Sequence, residues 1–548
     1  MTSRSRTAIA LLAAAVLTAG SSGPGVPAKP DDKTILHVLN RIGYGARPGD
    51  VERVRQIGLA AYIDQQLHPE RIADTEMTAR LAGFDTLTKS SRELAEEYFV
   101  PALQARQEVK RNAASDPAMA QKPDAAADGK PVRTAAQMEA ARKSRDVLAE
   151  LTAQKVLRAA YSERQLAEVM TDFWFNHFNV FAGKGPTGQY LTEYERDVIR
   201  RHALGKFRDL LGATAESPAM LFYLDNWQSA DPDADNRRMR MGPNAGGIDR
   251  PGETARLGRP MPRRFPPALE QRPVAPRPKR GLNENYGREL MELHTLGVDG
   301  GYTQQDVVNV ARAFTGWTIE GPRQGGSFRF EPRIHDSQDK IVLGHKIKAG
   351  GGQSDGEKVL DILASHPATA TFISTKLVRR FVSDTPPPAL VERAAATFRE
   401  TGGNIREVVR TILTSPEFFS AEAYRAKVKS PFEFVVSAVR ATGTRVEDAR
   451  PLVQAVNQLG MPLYMCQPPT GYPDKAEAWV NTGALLNRMN FAVQLVGGRM
   501  RGIEAGSSPV GAALANDVSA TTAATIAKGT ETKEIAALTL GSPEFQRR

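Results

Sequence analysis

The stretch NENYGRELMELHTLGVDGGYTQQDVVNVARAFTGW, residues 283–317, shows the character of this chain better than any other. Its first part has apolar residues at helical spacing, and a Gly-rich turn then leads into a second short helix that ends near Trp317. Charged and amide side chains are dense among core-type Leu, Met and Phe. Such a segment indicates either a functional site or a buried ionic network.

A helical wheel of residues 283–295 separates the polar side chains of this stretch into two groups. One arc of about 140° on the wheel holds most of them: Glu284, Asn285, Arg288, Glu289 and Glu292. His294 lies on the other side with Leu290, so shared metal ligation by His294 and these carboxylates is not expected. The carboxylates then form either an acid/base or cation site that Arg288 holds together, or an exposed charged face.

The second helix of this stretch contributes two further candidates. Thr303 and Asp306 are spaced as a near capping box at its start. Arg312 lies one turn after Asn309 and extends the polar set, and Trp317 closes it. We therefore count Arg312 and Trp317 among the predicted substrate-binding residues.

The segment WFNHF, residues 174–178, carries another candidate histidine. His177 shares a helix face with apolar residues, which is typical of a core histidine whose ring nitrogens are satisfied. The alternative is an acid/base group or ligand, which requires an orienting carboxylate or carbonyl. Trp174 and Asn176 beside it are candidate substrate contacts.

Residues 328–347 change period and predict the β structure of the chain. FRF and KIVLG are two short apolar runs that flank EPRIHDSQD, which predicts a small hairpin in a helical protein. His335 and Asp336, with Lys340 nearby, lie in the predicted connection. His335 is a candidate general base or ligand. The alternative is a turn in which Asp336 caps the backbone.

The N-terminal residues 1–23 have the pattern of a secretory signal peptide, with Arg4 and Arg6 before an apolar run and small residues after it. No later stretch is long and apolar enough to predict a transmembrane anchor. The single cysteine, Cys466, excludes an internal disulfide and is expected to be a small core residue rather than a nucleophile.

Two segments are predicted to be flexible insertions: residues 112–132 and 231–281. The second holds 12 Arg and Lys against 6 Asp and Glu, with ten prolines and no apolar period. Such a segment does not bury enough apolar area to offset its ordering entropy. Much of the net charge of +10 in these 548 residues lies in this segment. Since the basic excess is concentrated there, nucleic-acid binding is not expected for the protein as a whole.

The same motifs resemble the bacterial domain-of-unknown-function 1800 family. The resemblance rests on FWFNHF, the long stretch from Asn283, ARAFTGW, the HD…K…LG segment and the closing SPEF, and it covers nearly everything from Ile35 to Arg548. It implies an exported, largely helical protein, often accompanied by a sulfatase-like partner. It brings no established reaction.

We therefore predict a mainly α, multi-helical globular domain over residues 31–548 with a small β-hairpin, in a periplasmic or secreted protein. The first functional hypothesis is a hydrolase, with a divalent cation as an optional cofactor, acting on an envelope or extracellular polymer or conjugate. The second is a non-enzymatic assembly or binding partner of another exported protein, such as a sulfatase-like one. The sequence does not decide whether the protein is an enzyme.

The predicted site residues come from chemistry alone. The candidate catalytic residues are His335, Asp336, Glu289, Glu292 and His177. The candidate substrate-binding residues are Trp174, Asn176, Asn285, Arg288, Arg312, Trp317 and Lys340. No set of metal ligands is predicted.

Overall fold

The structure, a computed structural model, describes residues 25–115, 134–234, 281–506 and 508–548. The predicted signal peptide, residues 1–23, lies outside the described residues. So do the predicted insertions 112–132 and 231–281, apart from 112–115, 231–234 and 281 at their edges.

The described residues are mainly helical, which confirms the predicted fold class. The helices before the second predicted insertion are α1 (Asp32–Ile42), α2 (Asp50–Ile57), α3 (Leu59–Leu67), α4 (Thr75–Leu81), α5 (Ser91–Leu94), α6 (Val100–Ser115), α7 (Ala135–Tyr161), α8 (Gln165–His177), α9 (Leu191–Glu193), α10 (Phe207–Glu216) and α11 (Pro218–Tyr223). Those after it are α12 (Glu284–Glu292), α13 (Gln304–Ala313), α14 (Ser354–Ser365), α15 (Pro367–Phe381), α16 (Pro388–Glu400), α17 (Ile405–Leu413), α18 (Pro431–Thr442), α19 (Arg450–Gln458), α20 (Thr482–Val496), α21 (Ala520–Ile526) and α22 (Thr532–Gly541).

The predicted start of α13 is confirmed in detail. The Thr303 hydroxyl accepts from the Asp306 backbone N–H at 3.2 Å, and the Asp306 carboxylate accepts from the Thr303 N–H at 2.9 Å. This reciprocal capping box satisfies two backbone donors that the first turn of a helix leaves unpaired. Local sequence chemistry therefore fixes where this helix begins.

The β structure consists of short antiparallel pairs rather than the one predicted hairpin. The strands are β1 (Trp317–Ile319), β2 (Phe328–Phe330), β3 (Lys340–Val342), β4 (His345–Ile347), β5 (Arg445–Val446) and β6 (Ile503–Glu504), paired β1 with β2, β3 with β4 and β5 with β6. FRF and KIV are strands as predicted, but they do not pair with each other.

Turn chemistry explains the different pairing. Leu343 and Gly344 both have positive φ, 47° and 78°, so the chain reverses within two residues and β3 pairs with the strand that follows it. The residues between β2 and β3 contain Pro332, which begins a short 3₁₀ turn. His335 therefore lies between two hairpins, inside the protein.

One buried apolar core joins the described elements. At the end of α8, His177 contacts His294, just after α12, and Lys376 of α15. Gly297, after α12, has a φ of +83°, and a Cβ there would lie 2.8 Å from the Phe372 ring of α15. Only glycine suits both the conformation and the close approach. This turn brings the end of α12 against α8 and α15. Within the described ranges, no helix combines the length and apolar character that crossing a bilayer requires.

Candidate functional site

A histidine–lysine pair marks the junction of α8, α12 and α15. The His177 ring is buried, and its Nε2 lies 3.1 Å from the backbone carbonyl oxygen of His294. Since a carbonyl only accepts, Nε2 carries the proton and donates. Nδ1 is then the acceptor, and Lys376 Nζ donates to it at 2.8 Å. The orienting carbonyl that a functional histidine requires is thus present.

Aromatic rings hold the imidazole in place. Phe178 and Trp174 meet it edge-on at centroid distances of 4.5 and 5.4 Å, and Phe173 stacks on it at 6.4 Å. Trp174 itself is fully buried and donates from Nε1 to the Ala203 carbonyl at 2.9 Å. The predicted substrate contact Trp174 therefore lies behind the histidine, in the core.

Burial and charge set the protonation of the pair. Burial, with the Lys376 ammonium next, holds the pKa of His177 well below its usual value, so the ring is neutral. Burial also lowers the pKa of Lys376 to about 8, with Arg379 adding to the effect and Asp474 opposing it. A lysine with such a pKa is poised to exchange a proton near neutral pH.

The pair lines a cavity of about 400 Å³. Its walls come from α8, α15, the start of α18 and the irregular segment 470–479. Tyr472 and Trp479 of that segment face the cavity with their ring centroids 6.2 Å apart. This size and this mix of aromatic and polar lining suit a small molecule or one unit of a larger one.

Asn176 fastens the irregular segment to α8. Its side-chain amide donates to the Tyr472 carbonyl at 2.9 Å, and its carbonyl accepts from the Tyr472 N–H at 2.7 Å. Gly471 has a φ of +73°, and a Cβ there would lie 2.2 Å from the Asn176 backbone oxygen. Asn176 is therefore a structural anchor for the cavity wall as well as a lining residue.

His335, Asp336 and Lys340 lie in a separate, closed network. His335 Nδ1 donates to the Thr315 carbonyl at 2.8 Å, and its Nε2 lies 3.4 Å from Asp355 Oδ2. Lys340 Nζ is fully buried and donates to Asp355 Oδ2 at 2.9 Å and to the Asp336 carbonyl at 2.6 Å.

Arg312 completes this network from α13. Its Nε and Nη2 donate to the two oxygens of Asp336 at 2.6 and 3.2 Å, and its Nη1 donates to Asn309 Oδ1 at 2.8 Å. Trp317 is fully buried, with its indole against Gly356, where a Cβ would lie 2.6 Å from the ring. Among the described residues that line the cavity beside Lys376, none belongs to this network.

The polar face of α12 is largely exposed. Gln304 links its first turn to α13, donating to Glu284 at 2.8 Å and accepting from Arg288 at 2.6 Å. Asn285 is exposed, and Glu292 accepts from the Tyr302 hydroxyl at 3.1 Å. Burial and the nearby Glu292 raise the pKa of Glu289.

The predicted catalytic residues are thus divided among three places. His177 and Asn176 line the cavity, the His335 group forms the closed network, and Glu289 and Glu292 lie partly buried on the polar face of α12. Their catalytic and substrate-binding roles stay predictions. Cys466 is buried, and burial raises the pKa of its thiol to about 11, as suits the predicted core residue.

Sequence reasoning missed Lys376 and Asp355. Lys376 lies in FISTKLVRRF, where Ile373 and Leu377 mark the buried face of α15 and Lys376 flanks it. That spacing was a signal, but a lysine beside an apolar stripe usually extends its ammonium into water. Only the partner at 2.8 Å, far away in sequence, distinguishes it.

Comparison with known proteins identifies the family. The model of a family described as "Protein of unknown function (DUF1800)" matches residues 37–547, so the chain belongs to that family. Comparison with curated proteins and with solved structures gave no match.

Among the described residues, no group of three or more His, Cys, Asp and Glu side chains is arranged to hold a metal ion.

Proposed function

We propose that this protein is an exported hydrolase in which Lys376 is the catalytic acid–base group. The observation that carries the proposal is the 2.8 Å contact between Lys376 Nζ and His177 Nδ1 on the wall of a 400 Å³ cavity. Strongly perturbed titratable groups in a cleft are typical of catalytic sites. The substrate is a polymer or conjugate of the envelope or the extracellular space.

The chemistry follows from the protonation of the pair. Neutral Lys376 accepts a proton from a water molecule as the oxygen of that water attacks the electrophilic centre of the substrate. The ammonium so formed returns the proton to the leaving group as the scissile bond breaks. His177 is a positioning residue, because its neutral Nδ1 fixes the direction of Nζ without competing for the proton.

The cavity wall supports a substrate with a cyclic or chain-like body. Tyr472 and Trp479 offer ring faces, and Lys475 and Glu477 beside them are exposed at the mouth. Aromatic faces bind extended apolar or sugar-ring surfaces at little conformational cost. The part of the substrate beyond the scissile bond lies along this segment.

Replacement of Lys376 by Met tests the proposal. General acid–base groups contribute about 10²–10⁴-fold to rate, so we expect turnover of envelope polymer fragments to fall by that factor in Lys376→Met. Release of new end groups from purified envelope polymer, followed by mass spectrometry, is the assay. Turnover by Lys376→Met at the wild-type rate would exclude Lys376 as the acid–base group.

Lys429 offers a matched control. It is buried, and burial lowers its pKa to about 7, but it is not among the described residues that line the cavity, and its Nζ lies 3.8 Å from the Phe545 ring centroid. Lys429→Met should keep wild-type turnover. Competitive acylation of the native protein adds a substrate-free measurement, because the reactivity of Lys376 should rise with a midpoint near pH 8.

A second candidate function is binding of another exported protein, and one helix face favours it. On α20 the apolar side chains of Leu485, Leu486, Met489 and Val493 share an arc and are 41–58% exposed. A stripe of this kind fits an amphipathic helix of a partner.

The two candidates depend on different residues. If partner binding is the function, in-cell cross-linking should give one discrete adduct that Leu486→Asp/Met489→Asp loses and Lys376→Met keeps. Loss of polymer turnover in Lys376→Met with unchanged cross-linking favours the hydrolase. A concentration-dependent dimer of the purified chain would instead identify this face as a self-contact.

A further inference from the structure

The carboxylates that line the cavity among the described residues are already neutralised, with one exception. Each of three has a cation within ion-pair distance: Asp172 with Lys155 at 2.6 Å, Asp474 with Lys427 at 3.2 Å, and Glu433 with Arg548 at 3.0 Å as well as with Arg380. Glu477 is the remaining one, and it is exposed at the mouth. The inner cavity therefore offers little free negative charge to a ligand.

Two cations of the inner wall, Lys376 and Arg379, are not paired with carboxylates of the described residues. Lys376 hydrogen-bonds to a neutral imidazole rather than to a carboxylate. Arg379 follows it by three residues on α15, so the two side chains are neighbours on one face of the helix. Within the described ranges, neither has a carboxylate oxygen within 4.0 Å.

Arg379 is unlike the arginine next to it. Arg380 is buried and paired with Glu433. Arg379 lines the cavity only partly exposed, and its Nε is buried with no hydrogen-bond partner among the described residues. A buried donor without a partner costs about 1–3 kcal/mol, so the fold does not hold this guanidinium with a full set of hydrogen bonds.

We propose that Arg379 binds an anionic group of the substrate, a carboxylate or a phosphate or sulfate ester, one helical turn from Lys376. The inference rests on the proposed hydrolytic function and names the substrate class: an anionic polymer or conjugate. A guanidinium presents parallel N–H donors that match two oxygens of such a group. The anion lies in the cavity, and the scissile bond lies beside Lys376.

Anion binding also changes the proton affinity of Lys376. The charged and titratable groups around its Nζ are His177, His294, Arg379 and Asp474, and the Arg379 charge is among the causes that lower the pKa of Lys376. An anion on Arg379 offsets that repulsion. The pKa of Lys376 should therefore rise when the anion binds, and binding should take up protons.

Calorimetric titration with inorganic phosphate, sulfate and acetate tests the subsite without turnover. The ionic strength is held at about 0.1 M, where distant charges are screened over about 10 Å. We expect wild-type protein to bind at least one of the three, and Arg379→Gln to bind it at least about tenfold more weakly. The anion that binds most tightly identifies the ester or carboxylate class.

Arg399→Gln is the matched control, since Arg399 is an exposed arginine of α16 outside the cavity. It removes the same charge and should leave binding unchanged. Equal weakening in Arg399→Gln and Arg379→Gln, or no binding of any of the three anions to wild type, overturns the proposal.

A second measurement needs no variant. Saturating amounts of the anion that binds should move the acylation midpoint of Lys376 above 8 in the native protein, and an unmoved midpoint overturns the proposal. Failure of the subsite is distinguishable from failure of the hydrolase, because anion binding is read without turnover and Lys376→Met is read by turnover.

Discussion

Two lysines of this protein, the buried Lys340 and the partly buried Lys376, contact their partners in opposite ways. Lys340 donates to the Asp355 carboxylate at 2.9 Å and to two backbone carbonyls, inside a network that Asp336 and Arg312 close. Lys376 donates to the neutral imidazole of His177 and faces a cavity. Both lysines lie close to a histidine, but only Lys376 lines a cavity.

This difference separates a lysine that stabilises the fold from a lysine that can exchange a proton near neutral pH. A buried ammonium that donates to a carboxylate and to further acceptors has its hydrogen bonds satisfied, and its network serves the fold. Burial lowers the pKa of Lys376 to about 8, and its neutral partner His177 supplies no charge that would offset this effect. Residue type alone does not distinguish them; the partner does.

The largest expected effect is the contrast in stability between Lys340→Met and Lys376→Met. Removing Lys340 leaves Asp355 as a buried charge without its cation, which costs about 3–5 kcal/mol. Lys376→Met should lie within about 1 kcal/mol of wild type at pH 7, since the lost hydrogen bond to His177 is offset by removal of a poorly solvated charge. Denaturant unfolding measures both.

The pH dependence sharpens this contrast. The folded pKa of Lys376 is depressed from 10.5 to about 8, so the folded state binds fewer protons than the unfolded state between those values. Wild-type stability should therefore gain from this group as pH rises from 8 towards 10.5, and Lys376→Met should lose that gain. Equal destabilisation by both lysine variants at pH 7 would remove the distinction between the two regions.

An intermediate effect is expected for Asn176→Ala. It removes both hydrogen bonds that fasten Tyr472 to α8, which should cost about 1–2 kcal/mol and raise KM by loosening the cavity wall. Asn309→Ala is the matched control, because Asn309 donates to the Ile341 carbonyl at 2.7 Å in the closed network. It should cost similar stability and leave KM unchanged; a rise in KM in both variants would contradict the separation.

The smallest effect is expected for Glu289→Gln, at a partly buried position on the polar face of α12. Burial and Glu292 raise the folded pKa of Glu289, so the ionised form is disfavoured and the stability contributed below pH 4.5 is lost as pH rises. The variant should be about 0.5 kcal/mol more stable at pH 7, with no difference in acid. Lost turnover in this variant would instead support the predicted catalytic role of Glu289.

Much of the fold was predictable because it rests on local rules. Helical periodicity gave the mainly α class, and the capping residues Thr303 and Asp306 gave the start of α13. The strands FRF and KIV were also found. The pairing of these strands was not predicted. The two-residue turn at Leu343 and Gly344 needs positive φ at both residues, and a Leu-Gly pair is not a typical sequence signal for such a turn.

The site was predictable only in part. His177 and Asn176 were singled out by their motif, and both line the cavity. Lys376 was missed because its partner is 199 residues away in the chain. The predicted role of the His335 group depends on exposure, and the structure places His335 and Asp336 less than a tenth exposed.

The sequence by itself determined the family motifs, the helical class and the residues with chemical capacity, since these depend on spacing and residue type within a few turns. Tertiary structure alone decided which of those residues share a space. It joined the end of α8 to the end of α12 and to α15, and it gave Lys340 a carboxylate and Lys376 an imidazole. A pKa depends on burial and on neighbours distant in sequence, so the division between structural and reactive groups exists only in the folded chain.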